Sequence, residues 1–135
     1  MFTYNFENLE VWKLSLDINK AVKQIIKGLP PEEKYVLADQ LRRAALSISL
    51  NIAEGWGRKT KKDFGRFVSN ATGSALEVIA GLKIAQDLGY LKEAEYKALE
   101  SICSKTGFLL RRFTDGIHHR TDYASKPSKP SQPSK

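Results

Sequence analysis

Apolar residues recur at three- and four-residue steps along most of this chain, and the pattern breaks where glycine and proline cluster. That period is the signature of helices with one buried face. A first helix is predicted from about Phe6 to Lys27, with Leu9, Trp12, Leu16, Val22, Ile25 and Ile26 approximating one apolar face. Gly28 and the Pro30, Pro31 pair end it, since glycine suits a left-handed cap and proline cannot continue the hydrogen-bond ladder. Pro31 then suits the first turn of a second helix, where Glu32 and Glu33 face the positive end of the helix dipole. This helix reaches about Trp56 on a stripe of Leu41, Ala44, Ala45, Ile48 and Ile52. Thr60 and Asp63 have the spacing of a capping box and open a third helix running to about Leu88. Its face is Phe64, Phe67, Val68, Ala71, Ala75, Val78, Leu82 and Ala85, and Gly89 closes it. A fourth helix spans about Lys92 to Ile117 through Leu99, Ile102, Cys103, Thr106, Leu109, Leu110, Phe113 and Ile117, without a good capping residue at its start.

Four amphipathic helices of roughly 20–27 residues, about 30–40 Å long and joined by short turns, predict an all-α fold, an antiparallel up-down-up-down four-helix bundle. The bundle is assigned to residues 1–119. Gly73 and Gly81 each weaken an isolated helix by about 1 kcal/mol relative to alanine, so close packing is expected at both. Beyond about Arg120 the pattern ends, and SKPSKPSQPSK contains no apolar residue. Residues 120–135 are therefore expected to form a disordered basic Ser/Pro/Lys tail.

A chain of 135 residues is long enough for one core without disulfides or metals, and 41% apolar against 27% charged residues fits a globular protein. No apolar run approaches the roughly 20 residues of a membrane span. MFTYNFENLEVW lacks a basic start followed by an apolar stretch, so no secretory signal and a cytoplasmic location are expected. Cys103 is the only cysteine, which excludes an intramolecular disulfide and multi-cysteine metal sites. The net charge is +7, and Arg120, Lys126, Lys129 and Lys135 against Asp122 place three of those charges in the tail. The body remains mildly basic, which favours encounter with polyanions and carries no information about specificity.

Catalytic chemistry is hard to find. His118 and His119 are adjacent, so their rings cannot share one helical face as a metal pair would. No GxxxxGK[ST] run is present, and no GxGxxG follows a strand. GWGR at 55–58 follows a helix and reads as a turn, while Cys103 on an apolar face reads as an inert thiol. No catalytic residue, metal or cofactor is expected. The basic residues offer more. Arg58, Lys59, Lys61, Lys62 and Arg66 crowd the turn between the second and third helices. The start of the third helix adds free backbone N–H groups and a positive dipole end, both suited to phosphate. An ordinary solvated turn is the competing reading. Trp56 beside it is placed either to stack on a base or to plug the bundle end. Phe64 and Phe67 fit the core. Arg42 and Arg43 read first as helix-surface or intersubunit pairs, Glu54 is spaced to pair with Arg58, and Arg111 and Arg112 sit near a negative helix end. Asn51 reads as a satisfied polar group that fixes helix register.

QLRRAALSISLNIAEGWGR at 40–58 resembles the hallmark segment of the 23S rRNA intervening-sequence proteins, the S23 family of bacterial four-helix bundles. FENLEVW at 6–12, FGRFVSNATGSALEV at 64–78 and LGYL at 88–91 match as well, so the resemblance covers about residues 6–117. It implies a homopentamer shaped like a short barrel. The chain is also similar to the accessory variability determinant of diversity-generating retroelements, a basic partner of a reverse transcriptase that binds nucleic acid. The resemblance carries over Arg42, Arg43 and Arg58 as basic-surface positions, Asn51, Glu54 and Gly55 as motif positions, and no catalytic residue. The expected function is a noncatalytic, homo-oligomeric scaffold for RNA or DNA, accessory to a reverse transcriptase or an rRNA-linked element. The alternative is a protein-interaction adaptor without nucleic-acid binding of its own.

Overall fold

The computed structural model describes the backbone of residues 5–124 and the side chains of residues 6–115. Four helices form, α1 (Glu10–Lys27), α2 (Leu37–Trp56), α3 (Lys61–Asp87) and α4 (Glu93–Ala124), with no strand among the described residues. Each helix packs on its chain neighbour, and α4 returns to α1, where Lys105 reaches Glu10 at 3.1 Å. Connections this short force successive helices to run antiparallel, giving the predicted bundle. One core fills its centre, with Ile18, Ala45, Ile48, Ala71, Val78, Leu82 and Ala85 fully enclosed. The predicted apolar faces of α2, α3 and α4 all contribute to that core, whereas α1 buries Val11, Ser15, Ile18 and Val22 and leaves the predicted Leu16 exposed.

The helix ends differ in instructive ways from expectation. Residues Asn5–Asn8 form a short 3-10 turn, and α1 itself begins at Glu10. Pro31–Glu33 likewise make a separate 3-10 turn, so α2 begins at Leu37 rather than at the proline. The Tyr90 hydroxyl donates to Glu33 Oε2 at 3.1 Å and pins that turn to the α3–α4 connection. Gly28 caps α1 with φ of −89°, right-handed and not left-handed, so it is Pro30 that stops the chain from coiling on. Gly89 alone among the described residues uses positive φ, at 83°. There Tyr90 N–H donates to Ala85 O and Gly89 N–H to Gln86 O, a Schellman ending that only glycine adopts without strain. The start of α4, which lacks a capping side chain before it, is closed from within by Glu95 Oε1 accepting from Lys92 N–H at 3.1 Å.

α4 runs on to Ala124, past Ile117, because the apolar stripe ends there but no proline intervenes before Pro127. The side chains of His118 and His119 lie outside the described residues, as do residues 125–135 of the expected tail. Close approach of α2 and α3 depends on two glycines. A Cβ at Gly81 would lie 2.6 Å from Leu41 Cδ2, and one at Gly55 3.0 Å from Phe67 Cβ. Gly73 differs from expectation, since a Cβ there meets nothing within 4 Å. No described helix is long and apolar enough to cross a membrane.

Candidate nucleic-acid interface

The five clustered cations converge on the α2–α3 turn because α2 ends on Gly57 and α3 starts four residues later at Lys61. Thr60 caps α3, its hydroxyl accepting from Asp63 N–H at 3.1 Å. The N–H groups of Lys61 and Lys62, left free at the start of α3, lie beside the cations, and the dipole adds positive potential there. Arg58 donates to Glu54 at 3.1 Å, the predicted pair, and Asp63 stands 3.9 Å from Arg66. Both guanidinium groups also lie over the Phe67 ring, at 4.5 Å for Arg58 and 4.4 Å for Arg66. These contacts hold the two arginines in defined positions at the surface. Lys59 and Lys62 are exposed, Lys61 is half-buried, and none of the three has an ion-pair partner among the described residues. The turn therefore combines two oriented guanidiniums with three ammonium groups outside any ion pair among the described residues, a surface suited to phosphate oxygens rather than to base edges.

Of its two candidate roles, Trp56 takes the plug. Its half-buried ring meets Phe64 edge-on at 5.0 Å and Phe113 at 5.2 Å, closing the bundle beneath the turn. Phe67 is buried and Phe64 packs against the core, as their spacing implied. No described aromatic face is thus free at the turn for base stacking.

Arg42 and Arg43 are not brought to this cluster. They lie in the N-terminal half of α2, about 24 Å from Arg58 at about 1.5 Å per residue. Arg43 donates to Asp39 at 2.9 Å, and Arg42 borders a groove between α1 and α2. Asn51 is satisfied, donating to Ser47 O at 2.8 Å and Ser47 Oγ at 3.0 Å, and Ser74 Oγ donates to Ser47 Oγ at 2.8 Å. The register of α2 on α3 is thereby tied.

A second polar seam has no counterpart in the sequence reading. The Asn19 amide, from α1, reaches Ser15 O at 2.9 Å, Ala45 O at 3.0 Å and Ser49 Oγ at 3.0 Å. Ser49 Oγ donates to Ser15 Oγ at 2.8 Å, and that hydroxyl donates to Trp12 O. The available signal was Ser15 and Asn19 one turn apart on the flank of an apolar stripe. Cys103 is 1% exposed, and burial followed by the Glu100 carboxylate pushes its thiol up to about 12, so it stays protonated and unreactive. Among the described residues no group of His, Cys, Asp and Glu is placed to hold a metal.

No curated protein matches the chain. Among solved structures it is similar to a protein of unknown function from the S23 ribosomal protein family of Bacteroides thetaiotaomicron VPI-5482. Identity is 24%, the TM-score is 0.71, and the match covers 77% of this chain and 97% of that one, a likeness of fold. The family described as 23S rRNA-intervening sequence protein matches residues 7–112. With most of the helical body included in that match, the chain belongs to the 23S rRNA-intervening sequence protein family.

Proposed function

We propose that this protein is a noncatalytic, homo-oligomeric scaffold that binds RNA or DNA in the cytoplasm through the α2–α3 turn. It would act as an accessory to an rRNA-linked element or a reverse transcriptase. The observation that carries this reading is the convergence of Arg58, Lys59, Lys61, Lys62 and Arg66 at the N-terminus of α3. Recognition is electrostatic and reads the backbone, because the aromatic residues beneath the turn are committed to packing. One such turn is a modest patch. Copies repeated around an oligomer raise affinity through effective concentration, without new contacts.

Titrating a labelled RNA duplex and a labelled DNA duplex across salt concentrations tests the assignment. The affinity falls steeply as salt rises. Changing Arg58, Lys59 and Lys62 together to alanine lowers the slope of log affinity on log salt by about two to three. Salt-insensitive binding, or none at low salt by the intact oligomer, removes this function and leaves the adaptor.

A further inference from the structure

We propose that the groove between α1 and α2 is a docking site for an acidic amphipathic helix of a partner protein. The groove encloses about 900 Å³ beside the α1–α2 connection, between the C-terminal half of α1 and the N-terminal half of α2. Its floor is apolar, made by Val22, Ile26, Leu29 and Ala38, with Leu46, 52% exposed, at its edge. Its rim carries Lys23, Lys34, Arg42 and Arg43, and Asp39 is the single carboxylate among the lining residues. That carboxylate is occupied by Arg43 at 2.9 Å. Lys34 lies 5.3 Å from the Tyr35 ring, and Tyr35 itself is 82% exposed at the mouth of the groove. Lys23 and Arg42 have no ion-pair partner among the described residues.

An apolar floor under a cationic rim selects its occupant by two criteria together. A nucleic acid satisfies the rim and leaves the floor wet. A second copy of this chain that offers its α3–α4 groove satisfies the floor and fails the rim. The groove between α3 and α4, where Leu76 and Phe108 are exposed, is lined by Arg111 and by no carboxylate, so seating it here sets cation against cation. A helix with a leucine stripe and flanking glutamates satisfies both. Along α2, Ala38 to Leu46 spans about 12 Å, the length of about two turns of an apposed helix. The groove and the basic turn lie toward opposite ends of α2, so the protein has room to hold an acidic partner and a nucleic acid at once.

The test uses the full chain and a labelled synthetic peptide of about four helical turns. The peptide has leucines at i, i+3, i+4 and i+7 with glutamate elsewhere, and is read by fluorescence anisotropy. Its controls are a scrambled peptide of the same composition and a version with lysine for glutamate. The striped acidic peptide binds, and both controls bind at least about tenfold more weakly. Joint Lys23→Glu and Arg42→Glu changes weaken it by at least about tenfold, and Tyr35→Ala weakens it in a background with native charge. Alanine at Lys59 and Lys62 leaves peptide affinity unchanged, which separates this site from the nucleic-acid reading. Failure of the striped peptide to bind overturns the proposal, as does equal binding of the scrambled peptide or by the Lys23, Arg42 variant. A fall in light-scattering mass on changing Leu46 to Ser also overturns it, and assigns the groove to a second copy.

Discussion

A methyl group added at either of two α3 glycines meets opposite surroundings. At Gly81 the new Cβ falls 2.6 Å from Leu41 Cδ2 and 3.3 Å from Leu41 Cγ, and Leu41 is itself enclosed in the core. Leu41 is 1% exposed, so a new methyl forces its side chain to repack within the core or α2 and α3 to part. At Gly73 the same atom enters open space. Overpacking of a closed core costs about 1–3 kcal/mol, whereas replacing an exposed helical glycine by alanine gains up to about 1 kcal/mol. Gly81→Ala therefore lowers the thermal midpoint and Gly73→Ala raises it, as monitored by circular dichroism. Midpoints moving together in one direction would show that α3 does not approach α2 through Gly81. The sequence treats these two positions alike, because helix propensity contains no information about what stands opposite.

The elements were legible where a single face or a single breaker decides them. The apolar stripes of α2 and α3 predict core faces that are buried as expected, and Gly89 stops α3 with the left-handed turn that glycine permits. Prolines mislead at α2, where Pro31 starts a 3-10 turn held by Tyr90 and Glu33, residues far apart in the chain. Of the candidate site, Arg58, Lys59, Lys61, Lys62 and Arg66 are neighbours in sequence and remain so in space. The function of Asn19 was illegible for the converse reason. Its partners Ala45 and Ser49 belong to another helix, and a polar residue beside a stripe looks solvent-facing until that helix is placed. Asn19→Ala removes the side-chain donor that Ser49 Oγ and the Ala45 carbonyl share at the α1–α2 seam. The expected loss is about 1–3 kcal/mol in urea unfolding, with an unchanged m-value. A midpoint equal to that of the unaltered protein would mean that water replaces the amide without cost.

At the scale of the whole molecule, the exposed apolar side chains bear on assembly. Leu76 and Ile84 on α3 and Leu88 at its C-cap are each more than half exposed, Phe108 on α4 is 63% exposed, and Leu50 stands out from α2. The proposed oligomer needs apolar surface for its subunit contacts, and Leu76, Ile84 and Phe108 on α3 and α4, away from the α1–α2 groove, supply it. Burying them in subunit contacts removes surface that a monomer leaves in water. Serine at Leu76 and Phe108 should therefore reduce the light-scattering mass toward the 15.2 kDa of one chain while preserving helical circular dichroism. Dissociation also separates the basic turns. On the proposed function, a long nucleic acid that bridges several turns then loses affinity steeply, whereas a short duplex contacting one turn is held nearly as before, because avidity depends on simultaneous engagement. If the monomeric variant holds long and short duplexes in the same ratio as the unaltered protein, each turn acts alone and assembly contributes nothing to binding.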